Sequence, residues 1–261
     1  TAAPPAQVAV RVATDREADL EGLVSKGQRL PRAAQLPFAK EVRAHSVAPK
    51  RLSDRRVQRQ LRHQAERAEA AVHELAERTE VPHTFRVVEG DVTRELLRAA
   101  DDADLLALGK TSTQSSRRRL GTTSRALLDK SSTSVLVLRQ ALRGRQPLLT
   151  YYDGSEAARS ALEVAAGLAT SGSGHPLTVF LPPLDEKTTQ RLQAEVHDEC
   201  GARVPSLDVR PLTRIERDRL ATLARREGPS LVVMPESAAP LTHSPLQRFL
   251  YELDHPLLVV R

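Results

Sequence analysis

The chain repeats itself. His83–Ala100, HTFRVVEGDVTRELLRAA, followed by Asp104-Leu-Leu-Ala-Leu-Gly109, reads as strand, helix, strand. Leu207–Ala224, LDVRPLTRIERDRLATLA, followed by Leu231-Val-Val-Met-Pro235, reads the same way. Each stretch leads into a polar loop, a short helix and a last apolar strand that ends in arginine, Ser134-Val-Leu-Val-Leu-Arg139 and Pro256-Leu-Leu-Val-Val-Arg261. Upstream, Ala157–Thr170 resembles Ala2–Thr14. Two copies of one α/β unit account for this pattern; one large fold does not.

Short β-branched and leucine-rich runs alternating with amphipathic helices imply parallel sheets covered on both faces. The expected fold class is therefore α/β, with two doubly wound parallel-sheet domains over 1–140 and 147–261. Strands are predicted near 147–152, 176–181, 206–210, 231–234 and 256–260 in the second copy, and near 20–24, 84–88, 104–108 and 134–138 in the first. A long helix over 53–79 is predicted between the first two strands of the first copy. There Val57, Leu61, Ala65, Ala68, Val72 and Leu75 form an apolar stripe opposite Arg55, Arg56, Arg59, Arg62, Glu66 and Glu69. Residues 140–147 read as a polar linker, and 25–55 as an insertion.

One strand has no counterpart. The second copy opens with Gln146-Pro-Leu-Leu-Thr-Tyr-Tyr-Asp153, a strand that ends in aspartate, whereas Thr1 already aligns within the following helix. The first domain is thus expected to lack its first strand in this chain, with the missing segment lying upstream of Thr1. In a competing reading Val8-Ala-Val-Arg-Val12 is that strand, because its residues alternate.

Composition excludes several classes. The longest apolar runs are about five residues, against roughly 20 for a membrane-spanning helix, and no charged-then-apolar leader is visible. A single cysteine, Cys200, excludes an internal disulfide framework and any cysteine-based zinc cluster, and a cytoplasmic setting follows as the expectation. The net charge of +6 invites a nucleic-acid reading. However, residues 1–147 carry 27 Lys and Arg against 18 Asp and Glu, and residues 148–261 carry 12 against 15. With 3% aromatic residues and no tryptophan, base-stacking platforms are scarce. No recognition motif accompanies the charge, so nucleic acid is not the expected partner.

Leu148-Leu-Thr-Tyr-Tyr-Asp-Gly-Ser-Glu-Ala-Ala-Arg-Ser-Ala-Leu-Glu-Val-Ala resembles the first strand and helix of the universal stress protein family. Ala103-Asp-Leu-Leu-Ala-Leu-Gly-Lys, with Leu120-Gly-Thr-Thr-Ser-Arg-Ala-Leu-Leu and Ser134-Val-Leu-Val-Leu-Arg, resembles its C-terminal half. The resemblance implies a tandem member that acts as a stress-response binding or regulatory protein, with five-stranded parallel sheets. It also implies an adenine-nucleotide pocket in some members, and self-association or domain pairing through the last strands, here 134–139 against 256–261.

ATP-binding members of that family carry a strand-ending aspartate and a loop of Gly-x-x-Gly, nine residues, then Gly-Ser/Thr. Glycine admits phosphate close to the backbone, and free N–H groups at a helix start favour anions. The first copy has Gly109-Lys-Thr-Ser112, eight residues, then Gly121-Thr122, so Ser112 replaces a glycine and the spacing is one short. The resemblance nominates Gly109, Lys110, Ser112, Gly121 and Thr122 for phosphates, with Val24 and Ser25, after the second strand, beside the base. Lys110, Arg117, Arg118, Arg119 and Arg125 add cationic donors. The second copy keeps Asp153, but its loop, Met234-Pro-Glu-Ser-Ala-Ala-Pro-Leu-Thr-His-Ser-Pro, has no glycine. Pro235 and Pro240 remove donors and Glu236 repels phosphate, so that copy is expected to bind no nucleotide, leaving Asp153 a capping role.

No catalytic set emerges. Gly154-Ser155 lacks the flanks of a nucleophile elbow. Eight histidines are scattered without a metal signature, and His197 and Cys200 sit at helical spacing without a second ligand pair. The expected protein binds ATP or nothing, holds no metal and is not an enzyme; its alternative reading is a nucleotide-free scaffold.

Overall fold

The computed structural model describes residues 9–10, 13–14, 18–27, 40–41, 50–51, 54–109, 122–138, 146–170, 174–236, 253 and 255–261. The chain divides into two compact units, Thr1–Ala99 and Ala100–Arg261.

In the first unit, β1 (Leu20–Gly27) and β4 (His83–Gly90) pair in parallel, from Leu20 opposite His83 to Gly27 opposite Gly90. Between them come a two-residue antiparallel ladder of β2 (Lys40–Glu41) with β3 (Lys50–Arg51), and helix α1 (Asp54–Arg78). A parallel pair needs a long crossover, and α1 supplies it by packing on both strands. The stripe read from the sequence is the packed face. Ala65 is buried and Leu61, Ala68, Val72 and Leu75 are half-buried, while Arg55, Arg59, Arg62, Glu66 and Glu69 are exposed. Gly22 is required by this packing, since a Cβ there would lie 2.5 Å from Cδ2 of Phe85.

The end of α1 is a Schellman cap. Val81 N–H donates to Ala76 O (3.0 Å), Glu80 N–H donates to Glu77 O (3.4 Å), and Glu80 takes φ 55°. Val81 then packs on Ala76 with Val10 and Ala13, beside Leu20 and Leu75. Ala9, Val10, Ala13 and Thr14 have helical backbone, and the Thr14 hydroxyl donates to Val10 O (3.0 Å). The reading of 8–12 as a strand therefore gives way to the helical one: Val10 and Ala13 lie three residues apart on one buried face. α2 (Val92–Asp101) follows β4 and runs across the division between the units.

The second unit holds a seven-stranded sheet. Its strands are β5 (Leu105–Gly109), β6 (Ser134–Leu138), β7 (Leu148–Tyr151), β8 (Leu177–Leu181), β9 (Leu207–Pro211), β10 (Leu231–Pro235) and β11 (Leu257–Val260). Their order is β5-β6-β11-β10-β7-β8-β9. Every neighbouring pair is parallel except β6 with β11, where Leu257, Leu258 and Val259 face Val137, Leu136 and Val135 in antiparallel register. The last strands of the two copies thus pair inside one chain. Both edges of each are used there, which leaves neither with a ladder edge for a second chain.

Helices α3 (Thr122–Lys130), α4 (Glu156–Thr170), α5 (Glu186–Cys200), α6 (Arg214–Asp218) and α7 (Leu220–Glu227) connect these strands. The buried face of α4 is Ala158, Ala161, Leu162, Ala165, Ala166 and Ala169, small enough for the helix to lie close on β7, β10 and β11. On the repeat read from the sequence, β1, β4, β5 and β6 would correspond to β8, β9, β10 and β11. Among the described residues no strand takes the place of β7 in the first copy, and β5 has a ladder partner on one side only.

Candidate functional site

In the second copy the chain winds from β7 to β9 in one direction and then returns to β10 and β11 on the other side. The switch lies between β7 and β10, and open parallel sheets hold ligands just beyond the carboxyl ends of strands at such a point. Two segments leave the sheet there: Tyr152–Ser155 after β7, and Glu236 after β10.

Their polar groups are largely committed. Ser155 N–H donates to Asp153 Oδ1 (3.0 Å), and the Ser155 hydroxyl oxygen accepts from Ala158 N–H (3.2 Å) to cap α4. Gly154 makes the turn at φ 84°. Asp153 is thus held in a local turn and Ser155 is the cap. Glu236 N–H donates to Val260 O (3.0 Å), Pro235 has no N–H, and the Glu236 carboxylate lies 3.2 Å from Arg261 Nη2. A phosphate would meet a carboxylate here and no free donor from these two residues.

Tyr152 points its hydroxyl the other way, donating to Glu195 Oε2 on α5 (2.7 Å); Arg191 Nη1 lies 2.5 Å from Glu195 Oε1. Burial, followed by the neighbouring Glu195 carboxylate, pushes the phenol from its ordinary value of 10.0 up to about 12. The Tyr152 hydrogen bond, aided by Arg191 and Arg159, holds Glu195 below the usual carboxylate range. The signs are opposite. The raised phenol adds stability that is complete below pH 10 and is lost as pH rises through about 12; the lowered carboxyl adds stability that is lost as pH falls through its native value. Tyr152→Phe is therefore expected to flatten the fall in urea midpoint between about pH 10 and 12. Parallel wild-type and variant curves over that range would refute the assignment.

In the first copy, Gly109 is the last residue of β5, opposite Leu138, and Thr122 is the first of α3. Lys110, Ser112 and Gly121 lie outside the described residues, as do Arg117, Arg118 and Arg119; Arg125 is exposed on α3. Val24 and Ser25 lie inside β1 rather than after it, opposite Val87 and Val88, because the strand runs on to Gly27. They belong to the first compact unit, and Gly109 and Thr122 to the second.

The universal stress protein family model matches residues 9–139. The chain belongs to the universal stress protein family. A universal stress protein from Archaeoglobus fulgidus is 16% identical, with a TM-score of 0.66 over 98% of this chain and 91% of its own. A putative universal stress protein from Pseudomonas aeruginosa is 13% identical, with a TM-score of 0.58 over 97% and 86%. These likenesses show the fold. A search of curated proteins finds no match to the chain.

Two clusters in this universal stress protein were not read from its sequence. One is Tyr152 with Glu195 and Arg191; only the i,i+4 spacing of Arg191 and Glu195 was a visible signal. The other is Arg261, which donates through Nη2 to Leu128 O in the last turn of α3 and whose backbone N–H donates to Ser134 Oγ (3.2 Å). The matching arginines at the ends of both copies were the signal for it. Cys200 is fully buried, its thiol pushed up to about 11 by burial, and His197 Nδ1 sits 2.8 Å from Gln193 O. Among the described residues no group of three or more His, Cys, Asp and Glu side chains is placed to hold a metal ion, and no helix is long and apolar enough to cross a membrane.

Proposed function

We propose that this chain is a tandem universal stress protein of the cytoplasm, a binding and regulatory module that holds one adenine nucleotide in its N-terminal copy. The observation that carries this reading is the placement of the ends of the glycine-bearing loop. Gly109 closes a parallel strand and Thr122 opens a helix, so residues 110–121 join a strand's carboxyl end to a helix's amino end. That position collects free N–H groups and favours phosphate, and Lys110 supplies charge. Gly109, Lys110, Ser112, Gly121 and Thr122 would take the phosphates. Binding rather than turnover is the role we infer, since the sequence from 105 to 128 has no Asp or Glu to hold Mg²⁺ or act as a base.

Calorimetry with ATP tests it. One site per chain is expected, weakened about tenfold or more by Lys110→Ala and untouched by Asp153→Asn. Absence of heat or of any thermal shift would reject it. A nucleotide-free scaffold is the second reading, favoured by Pro235 and Glu236, which replace phosphate donors in the other copy.

A further inference from the structure

We propose that His73 and His83 form a two-imidazole site for a borderline divalent transition metal, with Zn²⁺ as the reference ion and water completing its coordination. The inference is independent of the nucleotide reading. His73 lies on α1 and His83 opens β4, and the Schellman cap at Ala76–Val81 folds the second back over the first. Their rings lie 5.1 Å apart between centroids, and His73 Nδ1 stands 2.8 Å from His83 Nε2.

The outer nitrogens carry the argument. His73 Nε2 is 3.2 Å from Glu77 Oε1, and His83 Nδ1 is 3.3 Å from Val81 O. Both outer partners are acceptors only, so each favours a proton on the nitrogen it faces. With both protons there, two bare lone pairs confront each other at 2.8 Å. Moving the His73 proton inward leaves a lone pair against the Glu77 carboxylate, and moving the His83 proton inward leaves one against the Val81 carbonyl. No neutral combination satisfies all four nitrogens; a cation between the rings does. A carboxylate or a backbone carbonyl on the far nitrogen is also the usual outer partner of a metal-bound imidazole.

A divalent metal is such a cation. Zn–N bonds of about 2.0–2.1 Å in tetrahedral geometry need the nitrogens roughly half an ångström further apart. His73 has that freedom, being 59% exposed. Two neutral nitrogens with water suit zinc, nickel or copper and not the oxygen-seeking Mg²⁺.

Titrating the full chain with ZnCl₂, and separately with MgCl₂, followed by calorimetry and thermal melting, tests the site. One zinc event absent with magnesium is expected, together with a higher melting midpoint. Zinc affinity should fall at least about tenfold in His73→Ala and in His83→Ala, and about tenfold in Glu77→Gln, which removes the charge of the outer carboxylate. His73 and Glu77 are exposed, so circular dichroism should show those variants folded. Equal zinc binding in the wild type and the His73→Ala/His83→Ala double variant would overturn the proposal, as would no zinc binding at millimolar metal.

Discussion

Val259→Asp is expected to abolish the folded state of the second unit. Val259 is fully buried on β11, which has a partner on each side: β10, where it faces Met234, and β6, where it faces Val135. The strand therefore joins β6 and β5 to the other four strands of the second copy. Removing one side of a buried ion pair costs about 3–5 kcal/mol, and a carboxylate introduced at an apolar position with no partner costs at least as much. Against a total stability on the order of 5–15 kcal/mol, that leaves little or nothing. The control is Val259→Ala, which removes two methyl groups and no more, for about 2–3 kcal/mol. Loss of far-ultraviolet dichroism and of amide protection at 135–137 and 232–234 in the aspartate variant, with both kept in the alanine variant, is the expected result. Protection at 135–137 that survives in the aspartate variant would mean that β6 does not depend on β11.

The seam was legible because the repeat supplied it. Two apolar runs ending in arginine, Ser134–Arg139 and Pro256–Arg261, match each other, and the family resemblance paired them. Strand positions followed from the same comparison, each within a few residues. The larger misses have local causes. β1 was read as ending at Val24, where the apolar run stops, yet Ser25, Lys26 and Gly27 stay in the strand because β4 continues to offer a ladder through Val88, Glu89 and Gly90. β9 runs on into Pro211, which an edge strand tolerates because its outer side needs no N–H donor.

Contacts that depend on distant partners left no local trace. Tyr152 and Glu195 are 43 residues apart, and the pairing of His73 with His83 depends on a helix cap whose left-handed residue is a glutamate instead of the usual glycine. The candidate nucleotide loop is the converse case. Its residue types are readable at 109–122, but Ser112 in place of glycine and the shortened spacing are departures whose effect depends on the backbone path, which residue types do not specify.

Phe180→Ala is the second large effect, and aromatic scarcity explains its size. Four phenylalanines, three tyrosines and no tryptophan serve 261 residues, so the core is mostly alanine, leucine and valine, with few bulky side chains to collapse into a gap. Phe180 is buried in β8, between Tyr151 of β7 and Arg210 of β9. It lines a narrow space with Leu149, Leu220, Ala224, Val232 and Met234. Removing the ring should cost about 3–5 kcal/mol in urea unfolding. Thr150, the neighbour of Tyr151 in β7, lies on the opposite face of the sheet, beside Val179; it is fully buried and its hydroxyl has no hydrogen-bond partner among the described residues. Thr150→Val alone should be neutral or stabilising, because it removes an unsatisfied buried group. In the Phe180→Ala background the same change should have the same effect to within about 0.5 kcal/mol, because the two side chains lie on opposite faces of the sheet. A failure to add by more than that would place Thr150 beside the ring, and a cost for Phe180→Ala below about 1 kcal/mol would place Phe180 outside the core.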